Sequence, residues 1–520
     1  MNPTPTLALP YYLAAVLSLW LGWGIRGNYG HEYGAMIPGS LAALAVALMS
    51  GRPDWHRRAA EFAWLGALGW SFGGSMSYMK VIAYTHSGHS PSVLYGFACL
   101  FVIGFLWAAP GGAGTALAAI APRRFLADLV LPMSLVFVGW WLQGIAIEPA
   151  LRSRGVKLFW FDTDWVAATL AFVAGLATVA IRRRLDDASG LVLCMAGGWW
   201  LGFAGLVLGL DLHMTPPRGD NWAGCVGLVL GALGWLAWCG LGQATRAGLV
   251  CGFIGGIGFA AASMLKLVEV TSGFDTNWHS ILEQTTGAFN GLALAIAMAP
   301  LARFAPPADE VDAPPGSGRY RPNAALFALG FVVLTIPYLN LRKNVEQWLR
   351  AHTMPETMAG LSAWMWFDLG SLLVALTFLT LLVRSTCRPI AIVPSSPLGR
   401  GQLLYLILLW WIVAGNYDRI VVAFTPQRLV TEGVLHAIAL ACTLVVLGWT
   451  PPVREVSIPP APEMQRWLER TLAAGVVAAT LSIVVDWGVV RAIYGDRFAG
   501  HSTREIRFGP EATNKRVKHR

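Results

Sequence analysis

Long apolar stretches alternate with short polar breaks along almost the whole chain. Most stretches run for roughly 17 to 25 residues, the length that crosses the hydrocarbon core of a bilayer as an α-helix. The pattern therefore predicts an all-α, polytopic transmembrane helix bundle of about 15 spans, within a range of 14 to 16. The predicted helices lie near residues 8–25, 35–50, 62–84, 93–120, 127–147, 164–181, 190–210, 223–241, 248–268, 284–302, 325–341, 362–383, 403–424, 430–449 and 468–492.

A polar segment interrupts this pattern after the tenth apolar stretch. Its sequence, RFAPPADEVDAPPGSGRYRPN, combines Pro, Gly and charged residues in the way that flexible linkers do. We therefore expect an N-terminal transmembrane bundle (1–302), a cytoplasmic linker (303–324), a C-terminal transmembrane bundle (325–492) and a basic polar tail (493–520).

Composition supports a membrane location and excludes other classes of protein. The chain has 520 residues, of which 55% are hydrophobic and 13% charged, whereas a soluble domain carries about 25% charged residues. No stretch between predicted spans exceeds about 30 residues, which is below the usual domain minimum of about 50, so a large soluble catalytic domain is excluded. The net charge of +9 is interpreted as loop lysines and arginines, and nucleic acid is not an expected partner.

The arginines of the first ten spans predict the orientation of the bundle. They fall in alternate loops, which the positive-inside rule assigns to the cytoplasm. The amino terminus is then cytoplasmic, and the compact loops and Ala, Gly, Leu and Arg bias favour a bacterial inner membrane. An odd number of spans would place the basic tail outside, against the same rule, so the side of the tail stays open. The orienting arginines are Arg52, Arg57, Arg58, Arg123, Arg124, Arg182, Arg183, Arg184, Arg246, Arg303, Arg319 and Arg321.

Two segments of the N-terminal bundle resemble each other. LGALGWSFGGSMSYMKVIAYT (65–85) aligns without gaps on CGFIGGIGFAAASMLKLVEVT (251–271), which brings Lys80 onto Lys266. We expect a parallel internal repeat within the first ten helices, with copies near 1–125 and 190–302. Chance similarity between glycine-rich helices is the alternative.

Small residues at four-residue spacing predict close helix packing. The pairs Gly198/Gly202, Gly205/Gly209 and Gly227/Gly231 have the GxxxG spacing with which membrane helices approach each other. We interpret all three pairs as packing positions rather than as functional ones.

Polar residues concentrate in four segments on the predicted outer side, 26–34, 85–90, 211–224 and 271–291. Polar backbone breaks at membrane depth are tolerated where they line a cavity or are buried in protein. The pattern predicts an outward-facing solute site, and the alternative is a set of satisfied turns at the level of the lipid headgroups. The candidate solute-binding residues are Arg26, Asn28, His31, Glu32, Lys80, His86, Asp211, His213, Arg218, Lys266, Asp275, His279 and Glu283.

Lys80 and Lys266 indicate the charge of the solute. Their matching positions near helix ends would present two ammonium groups to one cavity and attract an anion. The alternative is snorkelling of each side chain to the interface.

The histidines and cysteines give little sign of a cofactor. No HExxH or CxxC motif accompanies the outer histidines or the seven cysteines, so neither a metal nor another cofactor is predicted. Polar residues also lie near the predicted outer ends of later helices, among them Asp368, Asn416, Asp418, Arg419 and Asp486. They suggest ion pairs of Asp418 with Arg419, and of Asp368 or Asp486 with a lysine.

Three functions fit these features. The first is a transporter or permease for a small polar solute, with an anion favoured, and membrane lipid and the solute are its expected partners. The alternatives are a membrane-embedded transferase or hydrolase that uses Glu32 on a lipid-linked substrate, and a non-catalytic scaffold. The first outer break spans only Arg26 to Gly34, which is short for a catalytic loop. We expect the last five helices to brace or gate the site, and the oligomeric state is open.

Overall fold

The fold is almost entirely helical. A computed structural model of the chain describes residues 7–495 except 31, 73–75, 77, 157–163, 215–219, 307–322, 423 and 455–463, and except the side chain of Lys80. It is 83% helical, and its two-residue strands β1 (Thr357–Met358) and β2 (Leu361–Ser362) pair antiparallel in a small hairpin. The prediction of an all-α protein is confirmed.

Twenty-one α-helices follow one another in the described ranges. Those of the first half are α1 (Leu9–Arg26), α2 (Glu32–Met49), α3 (Pro53–Arg57), α4 (Ala59–Phe72), α5 (Met79–Thr85), α6 (Ser90–Ile120), α7 (Arg123–Leu142), α8 (Glu148–Ser153), α9 (Asp164–Arg182), α10 (Asp187–Phe203), α11 (Asn221–Trp238), α12 (Gly242–Ser263), α13 (Leu265–Ser272) and α14 (Trp278–Phe304). Those of the second half are α15 (Ala324–Gly330), α16 (Ile336–Leu341), α17 (Asn344–Arg350), α18 (Ala363–Cys387), α19 (Pro397–Val421), α20 (Leu429–Gly448) and α21 (Met464–Tyr494).

Three π-helical segments interrupt the α-helices in the described ranges. Gln143–Ile147 joins α7 to α8, Ala204–Gly209 extends α10, and Phe331–Thr335 joins α15 to α16. Short π-helical turns inside α-helices occur frequently at functional sites. The first of them borders the cavity described below.

Within the described part of the chain, thirteen helices are long and apolar enough to cross a membrane when consecutive helical segments are counted as one helix. The chain is thus a multi-pass membrane protein by the length and composition of its helices. Two predicted spans are not among the thirteen. One is α1, and the other is the stretch 62–84, where α4 ends at Phe72 and α5 begins at Met79. The predicted count of about 15 is not confirmed, although a helix lies in every predicted window.

Helix α2 is at the centre of the bundle. Every residue from Gly34 to Met49 is buried, and α1, α4 and α19 pack around it.

α6 packs on α12 where small residues permit close approach. A Cβ atom at Gly112 would lie 2.7 Å from the Ala247 carbonyl oxygen.

The α10–α11 contact tests the GxxxG prediction. A Cβ atom at Gly198 would lie 2.3 Å from the Gly227 carbonyl oxygen, and one at Gly231 would lie 2.1 Å from the Cys194 carbonyl oxygen. In contrast, a Cβ atom at Gly205 meets nothing within 4 Å. The packing interpretation therefore holds at Gly198, Gly227 and Gly231 and is wrong at Gly205, which lies in a π-helical segment.

Helix α21 runs along the outside of the bundle. The Arg454 amide, which precedes it, donates to the Gly51 carbonyl oxygen at 2.9 Å. Near its other end, the Trp487 indole donates to the Ser90 carbonyl oxygen at 3.2 Å. α21 therefore ends beside the start of α6, on the side of the bundle opposite to Gly51.

The two aligned segments have similar local structures. In the first, α4 is followed by the short helix α5, and in the second α12 is followed by the short helix α13 after Met264. Lys80 and Lys266 are each the second residue of the short helix. Duplication remains a prediction.

Candidate functional site

Arg26 and Glu283 form a buried ion pair inside the helix bundle. Arg26 ends α1 and is 1% exposed, and Glu283 on α14 is 2% exposed. The Arg26 Nη2 atom lies 3.5 Å from the Glu283 Oε1 atom, and the guanidinium carbon lies 4.6 Å from the Trp23 ring centroid and 5.0 Å from that of Trp107. A charge in such a place is expensive unless it is paired, so each residue makes the burial of the other tolerable.

Tyr78 and His279 complete this group, which we call the Arg26 cluster: Arg26, Tyr78, His279 and Glu283. Tyr78 is non-helical, lies between α4 and α5, and donates a hydrogen bond from its hydroxyl to Glu283 Oε1. The His279 ring stacks on the Tyr78 ring with 6.2 Å between centroids, and its Nε2 atom lies 3.9 Å from Glu283 Oε1. The His279 side chain is 45% exposed, so the cluster extends from the surface to a buried carboxylate.

The local sequence of α14 explains this arrangement. Asn277 caps the helix, because its side chain accepts a hydrogen bond from the Ser280 amide at 3.2 Å. His279 and Glu283 are four residues apart and therefore lie on one face of the helix. Next to Glu283, the Gln284 side chain accepts from the Trp20 indole at 3.2 Å and donates to the Thr431 carbonyl oxygen at 3.3 Å. α14 is thus tied to α1 and α20 beside the cluster.

The loop after Arg26 is covered by the C-terminal helices. The Asn28 side-chain amide donates to Asn416 Oδ1 at 2.8 Å, and Asn416 donates in turn to Glu432 Oε2 at 3.4 Å. The Lys343 ammonium group donates to the Tyr29 carbonyl oxygen. Asn28, a predicted site residue, therefore connects the loop after α1 to α19.

Two of the suggested ion pairs take other partners. Arg419 donates from Nη1 to the Lys343 carbonyl oxygen at 2.8 Å. Asp368 pairs with an arginine instead of a lysine, with 3.2 Å between its Oδ1 atom and Arg342 Nε. The first contact links α19 to the turn between α16 and α17, and the second links that turn to α18.

A second group of candidate residues lies in the loop before α11. The His213 ring lies between two carboxylates, with Nε2 2.8 Å from Asp211 Oδ1 and Nδ1 2.5 Å from Asp220 Oδ2. Burial lowers the pKa of His213, but hydrogen bonds and the charges of Asp220 and Asp211 outweigh it, so this pKa is raised above its usual value. Tyr95 on α6 donates to the His213 carbonyl oxygen at 2.9 Å, which fixes the loop against the bundle.

A cavity of about 360 Å³ lies between α4, α7 and α9–α11. Carboxylates of Glu32, Glu148 and Asp164 line it, together with Gln143, Trp140 and Trp199. Gln143 begins the first π-helical segment and donates to Glu148 Oε1 at 3.0 Å. The described lining residues include no lysine or arginine. Of the predicted site residues that the structure describes, only Glu32 borders this cavity, and sequence reasoning missed the rest of its polar lining.

Three further predicted residues with described side chains, Lys266, Asp275 and His86, are not part of the cavity lining. Lys266 is 8% exposed, and its Nζ atom lies 2.5 Å from Glu269 Oε2. Both charges interact electrostatically with the His279 ring. Asp275 is exposed and accepts from the Gln427 side chain at 3.0 Å. His86 directly follows α5. His31, Arg218 and the side chain of Lys80 lie outside the described residues.

The structure thus brings three predicted residues together in the Arg26 cluster, namely Arg26, His279 and Glu283, and pairs two others, Asp211 and His213, elsewhere. Tyr78 was missed by sequence reasoning, although it directly precedes α5 in the aligned segment. Within the described ranges no group of three or more His, Cys, Asp and Glu residues is arranged to hold a metal ion.

These features define a multi-pass helical membrane protein with a buried charged cluster and a separate polar cavity. No family model, no curated protein and no solved structure matches the chain.

Proposed function

We propose that this protein is a transporter for a small polar solute, in which the cavity receives the solute and the Arg26 cluster controls access to it. The observation that carries the proposal is the buried Glu283 carboxylate, which is held by Arg26 and by Tyr78 at an interrupted helix. Interrupted helices and buried ionisable groups are the parts from which alternating-access carriers are built.

The end of α4 borders the cavity, and the residue before α5 belongs to the Arg26 cluster. Ser71 and Phe72 at the end of α4 line the cavity, and Tyr78 just before α5 bonds Glu283. Trp70 contacts Trp23 edge-on, with 5.4 Å between ring centroids. If solute binding shifts α4, and Tyr78 with it, the contacts of Glu283 change. Such a change would couple the cavity to the Arg26 cluster, as transport requires.

A proton is the coupling ion that this geometry favours. His279 is partly exposed, Tyr78 lies against it, and the hydroxyl of Tyr78 bonds the buried carboxylate. Histidine and carboxylate chains of this kind carry protons in pumps and transporters. Protonation of Glu283 would weaken its attraction to Arg26 and release the cluster.

The lining of the cavity favours a solute with cationic or hydrogen-bond-donating groups. Its three carboxylates favour positive charge, although the Glu148 carboxylate also lies 3.6 Å from Arg152 Nη2. Two tryptophans of the lining, Trp140 and Trp199, add indole rings of the kind that bind cations. Arg26 and Lys266 are each paired with a carboxylate, so they offer little to an anion. This proposal therefore departs from the anionic solute that the two aligned lysines suggest.

The same pairings count against a lipid-using enzyme. Such an enzyme would need Arg26 or Lys266 to hold a phosphate group beside Glu32. Arg26 is buried against Glu283, and Glu32 lies in the cavity lining instead of in the Arg26 cluster.

Reconstitution into proteoliposomes tests the proposal. We would measure solute-dependent charge movement and tracer counterflow with a panel of amines, amino acids, polyols and organic acids. Amines or polyols should elicit both signals. Glu283→Gln should abolish net proton-coupled flux, and Ala171→Phe should fill the cavity and abolish binding.

A matched control distinguishes these effects from general damage. Glu346→Gln removes an exposed carboxylate, 55% accessible, on α17 and should leave transport intact. Absence of counterflow with every solute class, in a folded and correctly inserted wild-type protein, would refute the proposal.

A further inference from the structure

A groove of about 460 Å³ lies between α12 and the peripheral helix α21. The two helices run parallel, since Met464 lies against Gly242 and Phe253 lies against Gly475 further along. A Cβ atom at Gly475 would lie 2.2 Å from Phe253 Cδ2, so the absence of a side chain there allows the helices to approach closely. The groove lies on the face of α12 that α21 only partly covers.

The two ends of this groove differ in chemistry. Arg246, Trp467 and Arg470 line its beginning, and the Arg246 guanidinium lies over the Trp467 ring at 4.9 Å from the centroid. Further along, the lining is apolar, with Phe253 and Ile257 on α12 facing small residues of α21. From Arg246 to Ile257 the helix rises roughly 16 Å, about half of a hydrocarbon core of roughly 30 Å and thus one leaflet.

We propose that this groove binds one anionic diacyl phospholipid, with its phosphate between Arg246 and Arg470 and an acyl chain along Phe253 and Ile257. Arginine matches the geometry of phosphate oxygens, and tryptophan favours the headgroup level. Basic pockets between membrane helices are typical sites for anionic headgroups.

The neighbouring charges agree with this assignment. The described lining of the groove contains no carboxylate. The nearby Glu469 accepts a hydrogen bond from Gln465 at 3.1 Å and is not part of the lining. A zwitterionic lipid would present its own cation to the two arginines, so the site should discriminate between headgroups. The inference does not depend on the proposed transport function.

Lipid titration of the detergent-purified full chain, followed by native mass spectrometry, tests the inference. Phosphatidylglycerol and phosphatidylcholine with identical acyl chains are the probes. We expect phosphatidylglycerol to bind about tenfold more tightly, and we expect this preference to disappear in Arg246→Gln/Arg470→Gln. The control is Arg384→Gln/Arg388→Gln, which removes two exposed arginines at the end of α18.

A second variant tests the acyl-chain part of the groove. Ala478→Trp adds bulk to the apolar lining without changing charge, and it should lower the binding of both lipids. Equal affinity of the wild-type protein for the two lipids would overturn the inference. So would an equal loss of phosphatidylglycerol binding in the groove variant and the α18 control. If the double variant fails to fold, the wild-type preference and the Ala478→Trp result still decide the question.

Discussion

Arg26 and Glu283 lie 257 positions apart in the sequence and form an ion pair with 3.5 Å between Nη2 and Oε1. Close packing of α1 against α14 brings them together. A Cβ atom at Gly287 would lie 2.4 Å from the Leu19 carbonyl oxygen, and one at Gly291 would lie 2.6 Å from that of Ala15. The absence of side chains at these glycines lets the helices approach until the charges at their ends meet.

Removal of one partner of this pair should be strongly destabilising. Arg26→Met leaves the Glu283 carboxylate buried without its cation, and the free energy of unfolding in mixed micelles should fall by about 3 to 5 kcal/mol. The double variant Arg26→Met/Glu283→Met should recover most of that loss, because neither charge is then buried alone. Arg350→Met breaks an exposed pair, 3.3 Å from Glu346, and should change stability little. Equal effects of the buried and exposed substitutions would contradict this account.

Two glycines from GxxxG pairs should respond differently to substitution by alanine. At Gly227 a Cβ atom would lie 1.8 Å from the Gly198 carbonyl oxygen, whereas at Gly205 it meets nothing within 4 Å. Gly227→Ala should therefore force α10 and α11 apart and lower the free energy of unfolding by about 1 to 3 kcal/mol. Gly205→Ala is the matched control. A comparable loss in both variants, measured by denaturant titration in micelles, would show that close packing at Gly227 is not the cause.

The hydrophobic pattern was sufficient to locate the helices, because bilayer thickness imposes a length that every apolar window shares. It did not reveal the interruption at Tyr78. Apolar residues lie on both sides of the break within the window 62–84, so the hydrophobic pattern does not mark its position. A helix interruption depends on what the freed backbone groups contact in the folded protein, and the sequence does not state those contacts.

The candidate site was predictable in part for a similar reason. Arg26, His279 and Glu283 all lie in polar segments that the sequence assigns to the outer side, but the predicted helix 284–302 leaves out His279 and Glu283, whereas α14 begins at Trp278. Their meeting with Arg26 depends on the packing of α1 against α14. The cavity was missed because Gln143, Glu148 and Asp164 resemble ordinary polar residues at helix ends. They line one cavity only because α7 and α9 pack side by side in the folded protein.

The loop around His213 should make stability depend on pH. Its pKa in the folded protein is raised by Asp220 and Asp211 against the opposing effect of burial, so the protonated ring stabilises the fold. That contribution is complete below the unfolded pKa of about 6.5 and is lost as pH rises through the higher folded value. The midpoint temperature of thermal unfolding should therefore decrease as pH rises above about 6.5. His213→Asn should flatten this dependence, and His352→Asn, in the loop after α17, should leave it unchanged. A wild-type midpoint temperature that stays constant above about pH 6.5 would contradict the prediction.

Tyr78→Phe should separate the roles of the hydroxyl and of the ring. The substitution keeps the stacking on His279 and the edge contacts with Trp107 and Phe259, but it removes the hydrogen bond to the buried Glu283 carboxylate. Because a hydrogen bond to a charged group contributes about 1.5 to 3 kcal/mol, the free energy of unfolding should fall by a similar amount.

If His279, Tyr78 and Glu283 also pass a proton, solute-driven acidification in proteoliposomes should fall much further in Tyr78→Phe than solute binding does. Tyr12→Phe, at a partly buried tyrosine on α1, is the control. A stability loss with unchanged proton flux would limit Tyr78 to a structural role and leave the coupling to other groups.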